Sequence, residues 1–356
     1  MNTFIPSKNS PLYLAISDHI EKQIISGGLK NNERLPTTAE MARQFNVTVP
    51  TVQQGLSRLT KKGLVRRSPK LGTFVNSCQL SRTVAIVFGH NPFKLESAFY
   101  TIFLDALKQN LSDAGFGFDC HFGLIWEGYQ SGLRRLKNEI EEGKYAALLV
   151  ISPSIELGAW LKEQRLIPAF NFTSNDTPGH SAYSGLSYLL KQCVKKIKFV
   201  PLFNPSKNLS LFEKELSGAK RAFSEAGVAW RNENVCYLGD SIQSAYANTF
   251  SLFKDPKKRP RGLFINHDIV TKGALSALSE LGIRIPDDCM LVTHSNKGDN
   301  FLCSIPLTRS EVDPMIVALD TVRYLKGQIA EAANGISDLG VPVRTTLVIG
   351  KSCGEK

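Results

Sequence analysis

Two adjacent glutamines, Gln53 and Gln54, sit two and three residues after Thr51, and a run of cations follows at Arg58, Lys61, Arg66, Arg67 and Lys70. These types divide naturally into two tasks. A glutamine amide can pair with a base edge, most simply adenine N6 and N7, and a threonine methyl can touch a thymine methyl. Lysine and arginine suit phosphates, contacts that position a protein on a duplex without reading its sequence. A second position able to do chemistry is Asp268, two residues past the strand-like run Gly262–Asn266. A carboxylate there can accept hydrogen bonds from two hydroxyls, which suits a polyol, or it can simply begin the next helix.

The segment that must position the first group is Leu35–Val75. Thr37 followed by Glu40 is a capping box and opens a helix through about Phe45, with Ala39, Met41 or Ala42, and Phe45 toward the core. Asn46 stands where a turn residue tolerant of positive φ is wanted. Thr48 caps the next helix and Pro50 is acceptable in its first turn. Val52, Leu56 and Leu59 form its buried face, Val49, Thr51, Gln53, Gln54 and Ser57 its exposed face, and Gly63 stops it. Leu64–Arg67 and Thr73–Val75 flank a turn at Ser68–Gly72, a basic hairpin. Ahead of this, Leu12, Ile16, Ile20 and Ile24 make one stripe of a helix that follows Pro11 and ends at Gly27-Gly28. Helices joined by a tight turn and followed by a basic hairpin describe a winged helix-turn-helix, whose second helix enters a DNA major groove. The expected DNA contacts are Thr38, Thr48, Thr51, Gln53, Gln54, Arg58, Lys61, Arg66, Arg67, Lys70 and Gly72, the last in a wing able to lie along backbone or minor groove.

Charge is distributed to match. Of the formal net charge of +11, residues 1–80 hold 11 Lys/Arg against 4 Asp/Glu, and the remaining residues hold 32 against 28. A positive field concentrated on the candidate reader favours encounter with phosphate. No run of 18 or more apolar residues occurs, and the first residues lack the apolar core of a secretory signal, so a cytoplasmic protein with no membrane partner is expected. The seven cysteines are scattered and never form CxxC, which suits reduced thiols. No HExxH, GxSxG or P-loop pattern is present, and Gly115-Phe116-Gly117 lacks the third glycine of a dinucleotide site. Neither an enzyme, a metal centre nor a cofactor is expected.

After a polar linker at 77–81, strands and helices alternate. Strands are expected at Thr83–Phe88, Phe116–Phe122, Ala146–Ser152, Ile167–Phe172, Lys196–Leu202, Val235–Leu238, Gly262–Asn266 and Met290–Thr293. Helices are expected at Phe99–Ala114, Leu133–Glu142, Tyr183–Gln192, Glu213–Ala226, Ser244–Phe253 and Lys272–Leu281. The alternation implies parallel sheets covered on both faces. Residues 82–356 are long for one such sheet, so two α/β lobes with a cleft are expected.

Within an N-terminal module of residues 1–76, the segment from about Pro11 to Val75 resembles the DNA-binding domain of GntR-family regulators. The resemblance rests on Pro11-Leu12-Tyr13, Leu29, Leu35-Pro36, Ala42, Phe45, Val47, Thr51-Val52, Leu56, Leu59, Gly63-Leu64-Val65 and Gly72-Thr73-Phe74-Val75. Family members usually carry arginine where Ala39, Val49 and Gln53 stand here, so the chain departs from the family on its reading face and leans toward an A/T-containing site. Residues 82–356 resemble the effector domain of LacI/GalR regulators, itself similar to periplasmic sugar-binding proteins. The matching residues are Gly262–Asp268, Gly273-Ala274, Leu281–Asp288 and Ile305–Arg309, with Asp313, Met315 and Ala318 behind them. The resemblance implies two Rossmann-like lobes, a homodimer on an inverted-repeat operator, and a small effector, commonly a sugar, held by Asp268 with Phe99, Tyr100 and Phe172 as stacking faces. It also implies a repressor. Departures occur at Glu215, where arginine is usual, and at His294, Ser295 and Asn296, where an acidic pair usually follows the strand. Two alternatives stand beside this: a regulator whose large domain only dimerises or meets a protein, and a sugar-binding module without a regulatory role.

Overall fold

The computed structural model describes residues 11–68, 71–76, 81–89, 97–123, 129–153, 155–173, 179–192, 196–206, 209–329, 332 and 334–354. Its chain divides into two compact units. The first holds residues 1–92, 108–173 and 321–339, and the second 93–107, 174–320 and 340–356.

The first unit begins with the N-terminal module: α1 (Leu12–Ile25), α2 (Thr38–Phe45), α3 (Val49–Lys61) and the antiparallel strands β1 (Val65–Ser68) and β2 (Gly72–Val75). The four-residue spacing in α1 delivers Ile16, Ile20 and Ile24 to one core with Met41, Ala42, Val52, Leu56 and Leu59. Gly55 lets α3 lie against α1, because a Cβ there would stand 3.0 Å from the Tyr13 carbonyl. The Thr37–Glu40 capping box forms in full, and Asn46 takes φ of 52°, the left-handed turn that separates α2 from α3. Two local expectations fail. Ala39 is exposed, while Met41 and Ala42 form the core side of α2. Thr48 occupies the cap position of α3, but its hydroxyl bonds the Thr51 hydroxyl at 2.8 Å instead of capping an amide.

The rest of the first unit is a parallel sheet in the order β11-β6-β5-β3-β4, with β3 (Thr83–Phe88), β4 (Gly117–His121), β5 (Ala147–Ile151), β6 (Pro168–Asn171) and β11 (Gly335–Asp338). Its helices include α5 (Tyr129–Glu141) and α6 (Ile155–Glu163). Strand β5 is buried at every position, as its unbroken apolar run requires. Helix α4 (Ala98–Asp113) contributes to both units.

The second unit has the sheet order β12-β10-β9-β8-β7. Its strands are β7 (Ile197–Val200), β8 (Gly262–Ile265), β9 (Met290–Asn296), β10 (Thr308–Val312) and β12 (Thr345–Val348), all parallel except β12. Around it lie α7 (His180–Lys191), α8 (Leu209–Glu225), α9 (Ile242–Lys254) and α10 (Asp268–Glu280), while α11 (Pro314–Ile329) again serves both units. The fold is thus a winged helix-turn-helix followed by two parallel-sheet α/β lobes. The expected strand at Val235–Leu238 is not one: Val235 makes a single bridge to Phe199, and the Cys236 amide bonds the Phe199 carbonyl at 2.9 Å before the chain leaves the sheet.

Candidate nucleic-acid interface and ligand cavity

On α3 the core residues Val52, Gly55, Leu56 and Leu59 fix which side faces out, and Val49, Gln53, Gln54 and Ser57 are exposed while Thr51 is half-buried. Thr38 starts α2 and is half-buried. The cations behave less uniformly. Arg58 lies half-buried along α1: its Nη1 donates to Ser17 Oγ and to Asp18 Oδ1, each at 2.6 Å. Lys62 Nζ meets Glu21 at 2.6 Å, a second tie between α3 and α1. Lys61 is exposed. In the wing, Arg66 lies over the Phe74 ring at 4.8 Å and donates to Asn32 Oδ1 and Ser68 Oγ, both at 3.1 Å. Arg67 Nη2 donates to the Gln53 carbonyl at 3.2 Å and so braces the wing against the reading helix. Gly72 takes φ of 120°, and Arg34 packs against it so closely that a Cβ would stand 2.9 Å from Arg34 Nε. Lys70 lies outside the described residues.

The second unit holds a cavity of about 410 Å³ at the carboxyl ends of β8 and β9, within the size range of small-molecule sites. Leu202, Ile269, Val312, Val343, Phe99 and Tyr100 form apolar walls, and Ser97, Asp240, His267, Asp268, His294 and Asn296 supply polar groups. Asp268 is therefore neither a helix cap nor a free carboxylate. The cap position of α10 belongs to His267, and Asp268 is 4% exposed. Its Oδ2 accepts from Ser97 Oγ at 2.6 Å and from Asn296 Nδ2 at 2.9 Å. His267 Nδ1, buried and without a hydrogen-bond partner among the described residues, stands 3.4 Å from Oδ1. Burial alone would raise the Asp268 pKa, but His267, Ser97 and His294 outweigh it and hold the carboxyl well below the usual range, so it is charged. Burial holds His294 below its ordinary value, against the pull of Asp268.

Glu215, where the resemblance leads one to expect arginine, is buried on α8 and built into the loop after β7. Its carboxylate accepts from the amides of Leu202 at 2.8 Å and Phe203 at 3.2 Å, and from Asn266 Nδ2 at 2.6 Å. Burial pushes it up to about 7 despite those donors. It thus pins the loop that carries Leu202 into the cavity.

Phe99 and Tyr100 line the cavity as expected, in edge-to-face contact at 5.3 Å. Phe172 does not; it follows β6 in the first unit, half-buried, with its amide on the Val150 carbonyl at 2.8 Å. Neither spacing nor periodicity connects Ser97 or Asp240 to Asp268, and His267, its immediate neighbour, carries no sequence signal of a place in the cavity. His294 and Asn296 stood out only as replacements for an acidic pair. Among the described residues no group of three or more His, Cys, Asp or Glu is placed to hold a metal, and no helix is long and apolar enough to cross a membrane.

Residues 12–75 match the family model of bacterial regulatory proteins of the gntR family, and residues 186–353 match that of the periplasmic binding protein-like domain. The chain joins a gntR-type DNA-binding domain to a periplasmic-binding-protein-like domain. Among curated proteins it is similar to an arabinose metabolism transcriptional repressor of Geobacillus stearothermophilus, 41% identical over 69 residues, covering 19% of each chain. It is also similar to the transcriptional repressor NagR of Bacillus subtilis, 35% identical over 74 residues, covering 21% of this chain and 30% of the other. These matches therefore span less than a third of either relative's own length. Among solved structures, a complex of the transcriptional regulator CelR with cellobiose matches 89% of this chain and 100% of the other, with a TM-score of 0.60 at 18% identity. A LacI-family sugar-binding transcriptional regulator of Escherichia coli, complexed with phosphate, matches 76% and 98%, with a TM-score of 0.55 at 12% identity. At such identities the likeness is one of fold, and it extends over both α/β lobes.

Proposed function

We propose that this protein is a transcriptional repressor that binds an inverted-repeat operator as a homodimer and releases or tightens its grip when a small polar ligand, of the sugar class, enters the cavity around Asp268. The observation that carries the reading is the union of two built sites in one chain: a gntR-type reading helix with Gln53 and Gln54 exposed, and a closed carboxylate at the strand ends of a binding-protein-like lobe. Both named curated relatives are repressors, and one solved neighbour carries cellobiose, which makes repression and a sugar the natural output and input.

Gln53, Gln54 and Thr51 read bases, with adenine the simplest partner for the amides. Lys61 and Lys70 meet phosphate, and Arg66 and Arg67 shape the wing that lies along the duplex. Thr38 and Thr48 add hydroxyls, and Gly72 a backbone amide, to the contacts with the duplex. The ligand can shift DNA binding only through a difference in its affinity for two arrangements of the protein.

The test has two arms. A mobility shift with genomic fragments should select a two-fold symmetric site, and sedimentation should give a dimer; an absence of sequence preference against bulk competitor would sink the operator claim. Thermal melting against a sugar panel should raise the transition for one member by mass action. Flat curves across the panel would remove the effector claim and leave the DNA claim standing.

A further inference from the structure

The N-terminal module touches the lobe of its own compact unit through a turn that the sequence does not single out. In residues 30–33 the Glu33 amide donates to the Lys30 carbonyl at 3.0 Å, the Lys30 amide donates to Glu33 Oε2 at 2.8 Å, and Asn32 takes φ of 63°. The Asn32 amide donates to the Val75 carbonyl at 3.0 Å, which fastens the turn to wing strand β2. The turn carries Asn31, a buried side chain whose Nδ2 donates to the Ile140 carbonyl at 3.2 Å, in the last turn of α5. Helix ends leave such carbonyls open to outside donors, and Asn31 shares this one with the Gly143 amide, at 3.0 Å. A buried amide costs free energy unless it is paired, so the module has to meet α5 in this register. Beside Asn31 lies a cavity of about 760 Å³, lined by Ile25 and Leu29 of the module and by Asn138 and Leu166 of the lobe, and the Asn31 amide bridges the two sides. The linker is fastened nearby, since Ser81 Oγ donates to the Lys144 carbonyl at 2.5 Å.

We infer that Asn31 determines operator geometry: by docking the module on α5 it fixes the distance between half-sites that a dimer accepts. This rests on the proposed homodimer and its inverted-repeat operator. From Asn76 to Ser81 the chain takes five peptide steps, and covalent geometry allows these about 18 Å, or about five base-pair steps of duplex. A tether of that reach does not set where a reading helix falls along DNA. A docked turn does, because one base-pair step of about 3.4 Å exceeds what a hydrogen bond can stretch.

Competition binding of the full chain to the two-fold site it selects tests this, with the spacer between half-sites lengthened or shortened by one and two base pairs. The wild type loses about tenfold or more at each change, whereas Asn31→Ala and Asn31→Asp, which remove the donor, lose less than about threefold. All three bind a single half-site equally, because the reading helix itself is untouched. Two glycines inserted between Cys78 and Gln79 leave the wild-type discrimination in place, since the dock and not the tether sets the distance. Equal affinity of the wild type for every spacer overturns the inference and leaves the two-fold operator standing. So does discrimination that survives both Asn31 variants, or that the glycine insertion alone abolishes. Weaker binding of a single half-site by both variants also overturns it, by making Asn31 part of the module's own fold. A chain that sediments as a monomer and selects no two-fold site removes the operator reading and the inference together.

Discussion

The reading face and the ligand cavity are assembled over very different lengths of chain. Val49, Thr51, Gln53, Gln54 and Ser57 all come from α3, and their placement follows from one helical period and from the Leu56 stripe behind them. The cavity collects Ser97, Leu202, Asp240, Asp268, Asn296 and Val343, residues brought together only after a five-stranded sheet has formed. A local site can change one side chain at a time and keep its scaffold, which is how the family's arginines can be absent at Ala39, Val49 and Gln53 from an otherwise ordinary module. A long-range site is held by interlocked polar partners, as Glu215 is by the amides of Leu202 and Phe203 and by Asn266.

The comparison can be broken most sharply at Leu56, fully buried in the small module core. Leu56→Ala should cost about 2–5 kcal/mol and abolish DNA binding. Melting of the full chain should show the module lost while the transition of the second unit stays in place; a uniform loss would mean that the two sites are not separable. Next comes Glu215, whose pKa is raised to about 7. A carboxyl raised in the fold contributes stability that is complete below its unfolded pKa of about 4.3 and is lost as pH rises through about 7. Urea denaturation of the wild type should therefore weaken by up to about 1.4 kcal/mol per pH unit across that window, and Glu215→Gln should flatten the slope. An equal slope in the variant would remove Glu215 as its source. Gln54→Ala should relax base preference at one operator position by about 1–3 kcal/mol, read by competition between single-base variants; uniform weakening on all sequences would make Gln54 a backbone contact. The smallest effect is at Thr37, where Thr37→Ala should cost the module about 1 kcal/mol through loss of the α2 cap, measured by denaturation, with base preference unaltered.

How far the sequence revealed the molecule follows the same divide. The capping box at Thr37, the left-handed Asn46 and the apolar stripes of α1 and α3 are short-range signals, and all appear in the structure. So does the alternation of strands and helices in both lobes, because buried parallel strands such as β5 and β8 read as unbroken apolar runs. Asp268 was visible because it follows such a run. Its partners were not, since Ser97 and Asn296 reach it only through tertiary packing. Val235–Leu238 misled for a related reason: the composition suits a strand, but the chain makes one bridge to Phe199 and turns off. The role of Arg58 was likewise hidden, because its partners Ser17 and Asp18 lie on another helix.

Arg58 and Lys62 already have anions in hand, Asp18 and Glu21, before any duplex approaches. Each fresh cation laid on a phosphate frees about 0.9 condensed counterion from B-DNA. A cation that keeps its own carboxylate nearby frees fewer, since the incoming phosphate and the resident acid compete for it. A double-logarithmic plot of affinity against salt should thus register fewer ions than the 11 Lys/Arg of residues 1–80 would suggest. Cutting the stitches, with Asp18→Asn and Glu21→Gln, should make the plot steeper.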